Sequence, residues 1–378
     1  MKAPIYLDHA ASTPVYPEAI ECMLSYFDEH FANPNSRQHK LGKKAQTGIE
    51  YAKEQIAGLI DCQSQDIYFT DSATTSLQKG ISFIIDTLKP KGRHILYSAT
   101  EHAAIIEHIP YWKSLGYEFE ALTPDKNGII NKDEFNSKCR ADTVLMILMM
   151  VNNETGVIHD INEWSQVCHE KGILLLSDAS QAMGKLQISM RTSKLDFLVG
   201  SSHKMCGPKG AACLVINNDS SFIKDFPIAD FNSYCHHPTP NVPSIVGMGK
   251  ASEINNERLE EHLAHAKVLE VLLKKDLNSN FNMSINGAEH SKSPYILNVC
   301  LAEMPAQILI ESLQNKVALT TGSACSSGQK NGSHVLKGMG FSSEDIAHSI
   351  RISTGFETNS GNLLEAMGMI KQIKGITV

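Results

Sequence analysis

The chain has 378 residues, 42% of them hydrophobic, which suffices for sizeable buried cores and, at roughly 150 residues each, for two to three domains. That composition excludes a disordered chain, a collagen repeat and a small disulfide scaffold. With 34 basic against 41 acidic residues the net charge is -7, so direct nucleic-acid binding through bulk electrostatics is not expected.

Read from the N-terminus, Asp8 interrupts the first apolar stretch before a signal-peptide core can form. The longest apolar run, 144–151, falls well short of the roughly 18 residues of a membrane helix. Nine scattered cysteines include no Cys-x-x-Cys pair for zinc or a redox dithiol. A cytoplasmic protein with reduced thiols and no membrane contact is expected. From about residue 66 to 216, short apolar runs alternate with helical patterns, the rhythm of a mainly parallel sheet covered on both faces. Strands are predicted at 67–70, 94–98, 118–122, 144–149, 173–177, 196–199 and 212–216, which is too many for one nucleotide-binding half and points to a single seven-stranded sheet. After Ser233, prolines at 238, 240 and 243 precede a long charged helical pattern, about 245–275, able to join two domains. A strand-like run at 296–300 and helices near 306–315 and 363–373 fit a smaller α+β domain.

The tightest chemical cluster is Ser201-Ser202-His203-Lys204-Met205-Cys206-Gly207-Pro208-Lys209-Gly210, between two predicted strands. A lysine at a sheet edge can form an imine with a carbonyl cofactor, although an exposed loop lysine has the same appearance. Upstream, Asp178-Ala179-Ser180-Gln181 puts a carboxylate at the C-terminal end of a buried strand, where ligands bind in open α/β sheets. Such a carboxylate can pair with a protonated pyridine nitrogen, the interaction that turns pyridoxal phosphate into an electron sink; a plain helix N-cap explains the residue equally well. Asp71-Ser72-Ala73-Thr74-Thr75-Ser76 lies between a strand and a helix, where free N–H groups suit a phosphate, and ordinary capping fits it as well.

Together, Asp178, Gln181, Ser201, His203 and Lys204 resemble the pyridoxal 5'-phosphate site of fold-type I enzymes of the class V aminotransferase group, and within it the cysteine desulfurases. Further matching stretches are Tyr6–Pro14, Asn33-Pro-Asn-Ser-Arg37, Thr100-Glu-His102 and Val151-Asn-Asn-Glu-Thr-Gly156, so the resemblance spans nearly the whole chain. The segment Thr321-Gly-Ser-Ala-Cys325-Ser-Ser327, polar onward to Ser333, resembles the longer catalytic loop of the group I desulfurases, which carries an accessible thiol.

The resemblance implies an α/β PLP-dependent transferase fold type I, with a large cofactor-binding domain over 15–258 and a small domain, 1–14 with 259–378, carrying the cysteine loop. It implies Cys325, Lys204 and His102 as catalytic groups, Lys204 bonding the cofactor and His102 stacking on its ring. Asp178 would keep the pyridine nitrogen protonated and Gln181 would meet the phenolic oxygen. Ala73, Thr74, Ser201, His203 and Thr239 would hold the phosphate, with Asn153 near the ring. Arg351 would clamp the substrate carboxylate, assisted by Asn153 and Asn33; its alternative reading is a surface arginine at a strand edge. The implied reaction converts L-cysteine to L-alanine and leaves a persulfide on Cys325 for a protein acceptor, in iron–sulfur cluster assembly, tRNA thiolation or DNA phosphorothioation. A homodimer is also implied.

One stretch departs from the family. Where relatives carry a glycine-rich segment ending Arg-x-Gly-Thr that reaches the neighbouring subunit's phosphate, this chain reads Phe231-Asn-Ser-Tyr-Cys-His-His-Pro-Thr239-Pro, with His236 at the arginine position. The chain also ends soon after its last helix, without the tail that housekeeping members use to dock a scaffold, which favours a specialised acceptor. Two other functions are weighed: a selenocysteine or other PLP-dependent lyase, which would not need Cys325, and a non-catalytic scaffold retaining the fold.

Overall fold

A computed structural model describes residues 3–89, 91–220, 223, 231–236, 239–287, 291–322 and 332–377. The strands are β1 Ile5–Tyr6, β2 Ile67–Thr70, β3 His94–Ser98, β4 Glu118–Leu122, β5 Thr143–Ile147, β6 Leu174–Asp178, β7 Phe197–Ser201, β8 Ala212–Ile216, β9 Met283–Ile285, β10 Ile296–Leu301, β11 Val317–Ala318 and β12 Ser349–Ser353. Seven of them form one sheet in the order β2-β8-β7-β6-β5-β3-β4, as the sequence leads one to expect. Only β8 runs against its neighbours, β2 and β7, so the other six strands share one direction. Their C-terminal ends therefore emerge along a single edge, where the site lies.

The central strands are apolar along their whole length because both faces are covered. Leu175, Leu198 and Met146 join Ile56, Leu59 and Ile60 of the helix Lys40–Ile60 and Trp164 and Cys168 of the helix Ile161–His169 in one core. Leu145, Leu174, Leu176 and Val199 point the other way, onto Leu77, Ile81, Ile84 and Ile85 of the helix Ala73–Leu88. Full burial of each such side chain contributes about 1.5–3 kcal/mol, so this helix is firmly seated and its N-terminus is fixed relative to the strand ends.

A separate core surrounds the three-stranded sheet β12-β10-β9, where Leu297, Val299, Ile350 and Ile352 pack with Leu363, Met367 and Ile370 of the helix Ser360–Thr377. Ile5 and Leu7 insert into this core, and β1 pairs in parallel with β11. The helix Val242–Asn280 runs through both regions, with Ile245 and Val246 against the helix Lys40–Ile60 and Leu269, Leu273 and Leu277 in the second core. It starts earlier than its sequence pattern suggests: Asn241 caps it, accepting from Ser244 N at 3.3 Å, and Pro243 sits in its first turn, where the missing N–H costs nothing.

Candidate active site

Four loops meet at the shared strand edge. Asp178 is the last residue of β6, and Ser201 that of β7, followed by the single 3-10 turn Ser202–Lys204. His102 follows β3, and Asn152–Gly156 follow β5. Gly156 closes that turn at φ +75°, and a Cβ there would lie 2.7 Å from Ile296 O, so only glycine fits.

Asp178 is buried, and its Oδ1 accepts from Ser180 N at 2.9 Å. His102 Nδ1 accepts from Ala104 N at 3.1 Å, which puts the proton of the neutral ring on Nε2. Burial pulls His102 down to about 4, Lys204 pulls in the same direction, and the Asp178 charge opposes them. His203, with its Nδ1 3.3 Å from Ser12 Oγ, is likewise held near 4 by burial and the charges of Lys204, Lys209 and Lys185. At neutral pH both rings are neutral.

The N-terminal segment straps this turn in place. Thr13 N and Oγ1 both donate to His203 O, at 2.8 and 2.9 Å, while Thr13 Oγ1 accepts from Cys206 N at 2.8 Å. Gln181 Nε2 donates to Ala10 O at 2.7 Å, and its Oε1 accepts from Lys185 Nζ at 3.0 Å.

Arg351 corrects the surface alternative: it is 1% exposed although β12 is an edge strand. Its NH1 donates to Asn153 O at 2.8 Å and its NH2 to Asp8 Oδ1 at 2.7 Å, leaving Nε–H without an acceptor among the described residues. Asn153 is buried, and its Oδ1 also lacks a partner there. Next to it, buried Glu154 accepts from Ser333 Oγ at 2.5 Å, and a Cβ on Gly322 would lie 3.1 Å from the same Oε2. Ser333, after residues 323–331, is thereby held beside the site, and Gly322, before them, lies close to the same carboxylate; Cys325 itself lies outside the described residues.

On the other side, Ser72 Oγ caps the helix Ala73–Leu88 by accepting from Thr75 N at 3.1 Å, so Ala73 and Thr74 occupy its first turn with exposed N–H groups typical of an anion site. Thr239 is exposed on the rim of a cleft of about 550 Å3 that Asp71, Thr75 and Lys79 also line. Before it, His236 holds the left-handed φ of +59°, a conformation glycine adopts without strain. Asn33 is also exposed, and its hydrogen bonds stay within its own turn, its Oδ1 accepting from Asn35 N and its O from Ser36 N. The structure thus gathers Lys204, His102, Asp178, His203, Gln181, Ser201, Asn153 and Arg351, with Ala73 and Thr74 at the neighbouring helix end. The sequence motifs gave no role to Asp8, Glu154 or Lys185.

These residues fit pyridoxal phosphate. Ser180 Oγ, Ser201 Oγ, Asn153 Oδ1 and Arg351 Nε are buried without partners among the described residues, although buried polar atoms are normally satisfied. A helix N-terminus with neighbouring hydroxyls suits a phosphate, a buried carboxylate a ring N–H, an amide a phenolic oxygen and a guanidinium a carboxylate.

The aminotransferase class-V family model matches residues 5–363. A cysteine desulfurase, IscS, of Colwellia psychrerythraea is 35% identical over 378 residues, covering 98% of this chain and 93% of its own length. Among solved structures, a NifS-like protein superposes with a TM-score of 0.89 at 26% identity, covering 99% of this chain and all of its own. SspA in complex with cysteine gives 0.79 at 27%, covering 93% of this chain and 99% of its own.

Proposed function

The chain belongs to the aminotransferase class-V family, and we propose that it is a cysteine desulfurase, a PLP-dependent enzyme acting on L-cysteine. The observation that carries this reading is the convergence of Lys204, Asp178, His102 and Arg351 at one strand edge, with Ser333 and Gly322, on either side of the Cys325 segment, close to Glu154 beside them.

Bound pyridoxal phosphate supplies an electron sink that lets the substrate's Cα–H and then its Cβ–S bond break. Lys204 would bond the cofactor's carbonyl carbon and, as a free amine, would move the substrate's Cα proton. Asp178 would keep the pyridine nitrogen protonated, and neutral His102, with its donor at Nε2, would stack on the ring. Arg351 receives the substrate carboxylate through its unpaired Nε–H edge, with Asn153 Oδ1 close by. The Cys325 thiolate attacks the substrate sulfur. The new S–S bond forms as Cβ–S breaks, the electron pair stays with carbon, protonation at Cβ and return of the abstracted proton to Cα complete L-alanine, and the persulfide remains on Cys325 for a protein acceptor.

Three finer assignments belong to the same reading. The division at 15–258 and at 1–14 with 259–378 is supported by the separate core around β10 and β12. A homodimer is supported by the exposed apolar series Ile20, Leu24, Phe27 and Phe31. Among the described residues no helix is long and apolar enough to cross a membrane, which accords with a cytoplasmic site of action.

The test is anaerobic release of alanine and sulfide from L-cysteine with a reductant present, comparing the protein with Cys325→Ala. Both products should vanish in the variant while the cofactor's visible absorbance persists. Undiminished alanine in the variant would make the protein a lyase that does not use this thiol, and an absence of cofactor in both would leave only the fold.

A further inference from the structure

Lys185 is a buried lysine for which the reaction above has no use. It is 6% exposed, and among the described residues no carboxylate forms an ion pair with it. Gly184 before it holds φ +74°, and a Cβ there would lie 2.9 Å from Met205 Cβ, so the turn carrying Lys185 is pressed against the residue that follows Lys204. The groups facing its ammonium are Lys204, Cys206 and Arg351, together with the rings of His9, His203 and Tyr295, the last with its centroid 5.9 Å from Nζ. Holding a cation among other cations is costly, and burial with Lys204 nearby draws Lys185 down to about 7. Among the described residues its one hydrogen bond with a side chain is that to Gln181 Oε1, at 3.0 Å.

That bond settles which way the Gln181 amide faces. An ammonium can only donate, so it takes the oxygen end; the Ala10 carbonyl can only accept, so it takes Nε2 at 2.7 Å. Turning the amide over would set N–H against ammonium and carbonyl against carbonyl. One Nε2–H is left to point at an acceptor in the site.

We propose that Lys185 is a positioning residue that locks the Gln181 amide with its N–H toward the cofactor's phenolic oxygen. This rests on the reading of the site given above. A cofactor carrying phosphate and phenolate charge favours the ammonium form of Lys185, so loading the site strengthens the lock. A donor on the phenolic oxygen stabilises its anion most when the adjoining nitrogen has lost its proton. Removing that donor therefore raises the pH at which the bound cofactor's visible absorbance changes.

The experiment is a pH titration of that absorbance in the purified holoprotein and in Lys185→Met, Lys185→Arg, Gln181→Leu and the double variant Lys185→Met/Gln181→Leu. The midpoint should rise by about one unit in Lys185→Met, a tenfold change in the proton equilibrium. It should return toward the original value in Lys185→Arg, which can still only donate. Gln181→Leu should shift at least as far as Lys185→Met, because the Ala10 carbonyl still holds part of the amide's direction there, and the double variant no further than Gln181→Leu. Should Lys185→Met be recovered without cofactor, Lys185→Gln, which no longer dictates the amide's direction, carries the same expectation. An unchanged midpoint in these variants would overturn the proposal, as would shifts that add in the double variant, since Lys185 would then act through its own charge. Unsubstituted protein with no visible absorbance after loading would instead overturn the reading of the site itself, and the proposal with it.

Discussion

Replacing Arg351 with lysine keeps a positive charge in the pocket and removes the planar fork. The guanidinium is 1% exposed, held at 2.8 Å by Asn153 O and at 2.7 Å by Asp8, with Nε–H left without an acceptor among the described residues. A lysine ammonium can satisfy Asp8 or the incoming carboxylate as a point charge but cannot reproduce the parallel pair of N–H donors. A hydrogen bond to a charged group contributes about 1.5–3 kcal/mol, so the loss of one at the substrate should lower kcat/KM for L-cysteine by roughly 10- to 150-fold. The contact is present before and during the reaction, so most of the change should fall on KM. Initial rates of alanine formation give both constants. Cysteamine, which has no carboxylate, provides the control, because its slower turnover should be nearly indifferent to Arg351→Lys. A kcat/KM for L-cysteine within threefold of the unsubstituted protein, or equal losses for the two amines, would refute the assignment of Arg351 as the carboxylate clamp.

Two further outcomes follow from the site's surroundings. Ser72→Ala removes the cap that accepts from Thr75 N and should cost about 1 kcal/mol in chemical denaturation, while cofactor titration should show severalfold weaker binding as the first turn frays. For pH, burial holds His9, His102 and His203 each near 4, below the ordinary 6.5, so between those values the unfolded chain binds protons that the native one does not. Their contribution therefore lowers stability as pH falls through that window. Glu101, fully buried and pushed up to about 8, acts in the opposite sense, since the native carboxyl keeps a proton that the unfolded one loses above 4.5. His94, His108, His159 and His262, also lowered by burial, act with the first three, and Asp8 and Asp66, raised by burial, with Glu101, so histidines predominate; stability should decline from pH 6.5 to 4.5 by about 1.4 kcal/mol per pH unit for each net proton, and denaturation midpoints of the cofactor-free protein that rise toward pH 5 would contradict it.

The parts of the fold legible in the sequence are those whose edges are marked by a change of polarity. The expected bounds of β2, β3, β4 and β8 agree with the observed ones. β6 and β7 run further, to Asp178 and Ser201, because backbone pairing of Asp178 with Val199 and of Ser201 with Ala212 carries the ladder into polar residues that an apolar pattern cannot count. β1 and β11, two residues each, are too short to show any period. β12 is wholly buried despite the arginine at its centre, since Asp8 and Asn153 O satisfy the guanidinium from distant parts of the chain. The site follows the same division. Lys204, Asp178 and His102 announce themselves by standing just after apolar strands, whereas Lys185, Asp8 and Glu154 acquire roles only through partners brought close by the fold.

The helix Val242–Asn280, 39 residues and about 58 Å long, also sets how the molecule comes apart. Its first turns are buried beside the helix Lys40–Ile60, and its last turns supply three leucines to the core of the three-stranded sheet. A break anywhere along it strips apolar cover from at least one core and leaves the hydrogen-bond ladder of the other half with a frayed end. The two cores are thus joined by a shared rod rather than a tether, and melting should be a single cooperative event. A protease that cuts in the middle of this helix would separate Ile5 and Leu7 from the rest of the three-stranded sheet's core, while the cores on both faces of the seven-stranded sheet would stay within the first fragment.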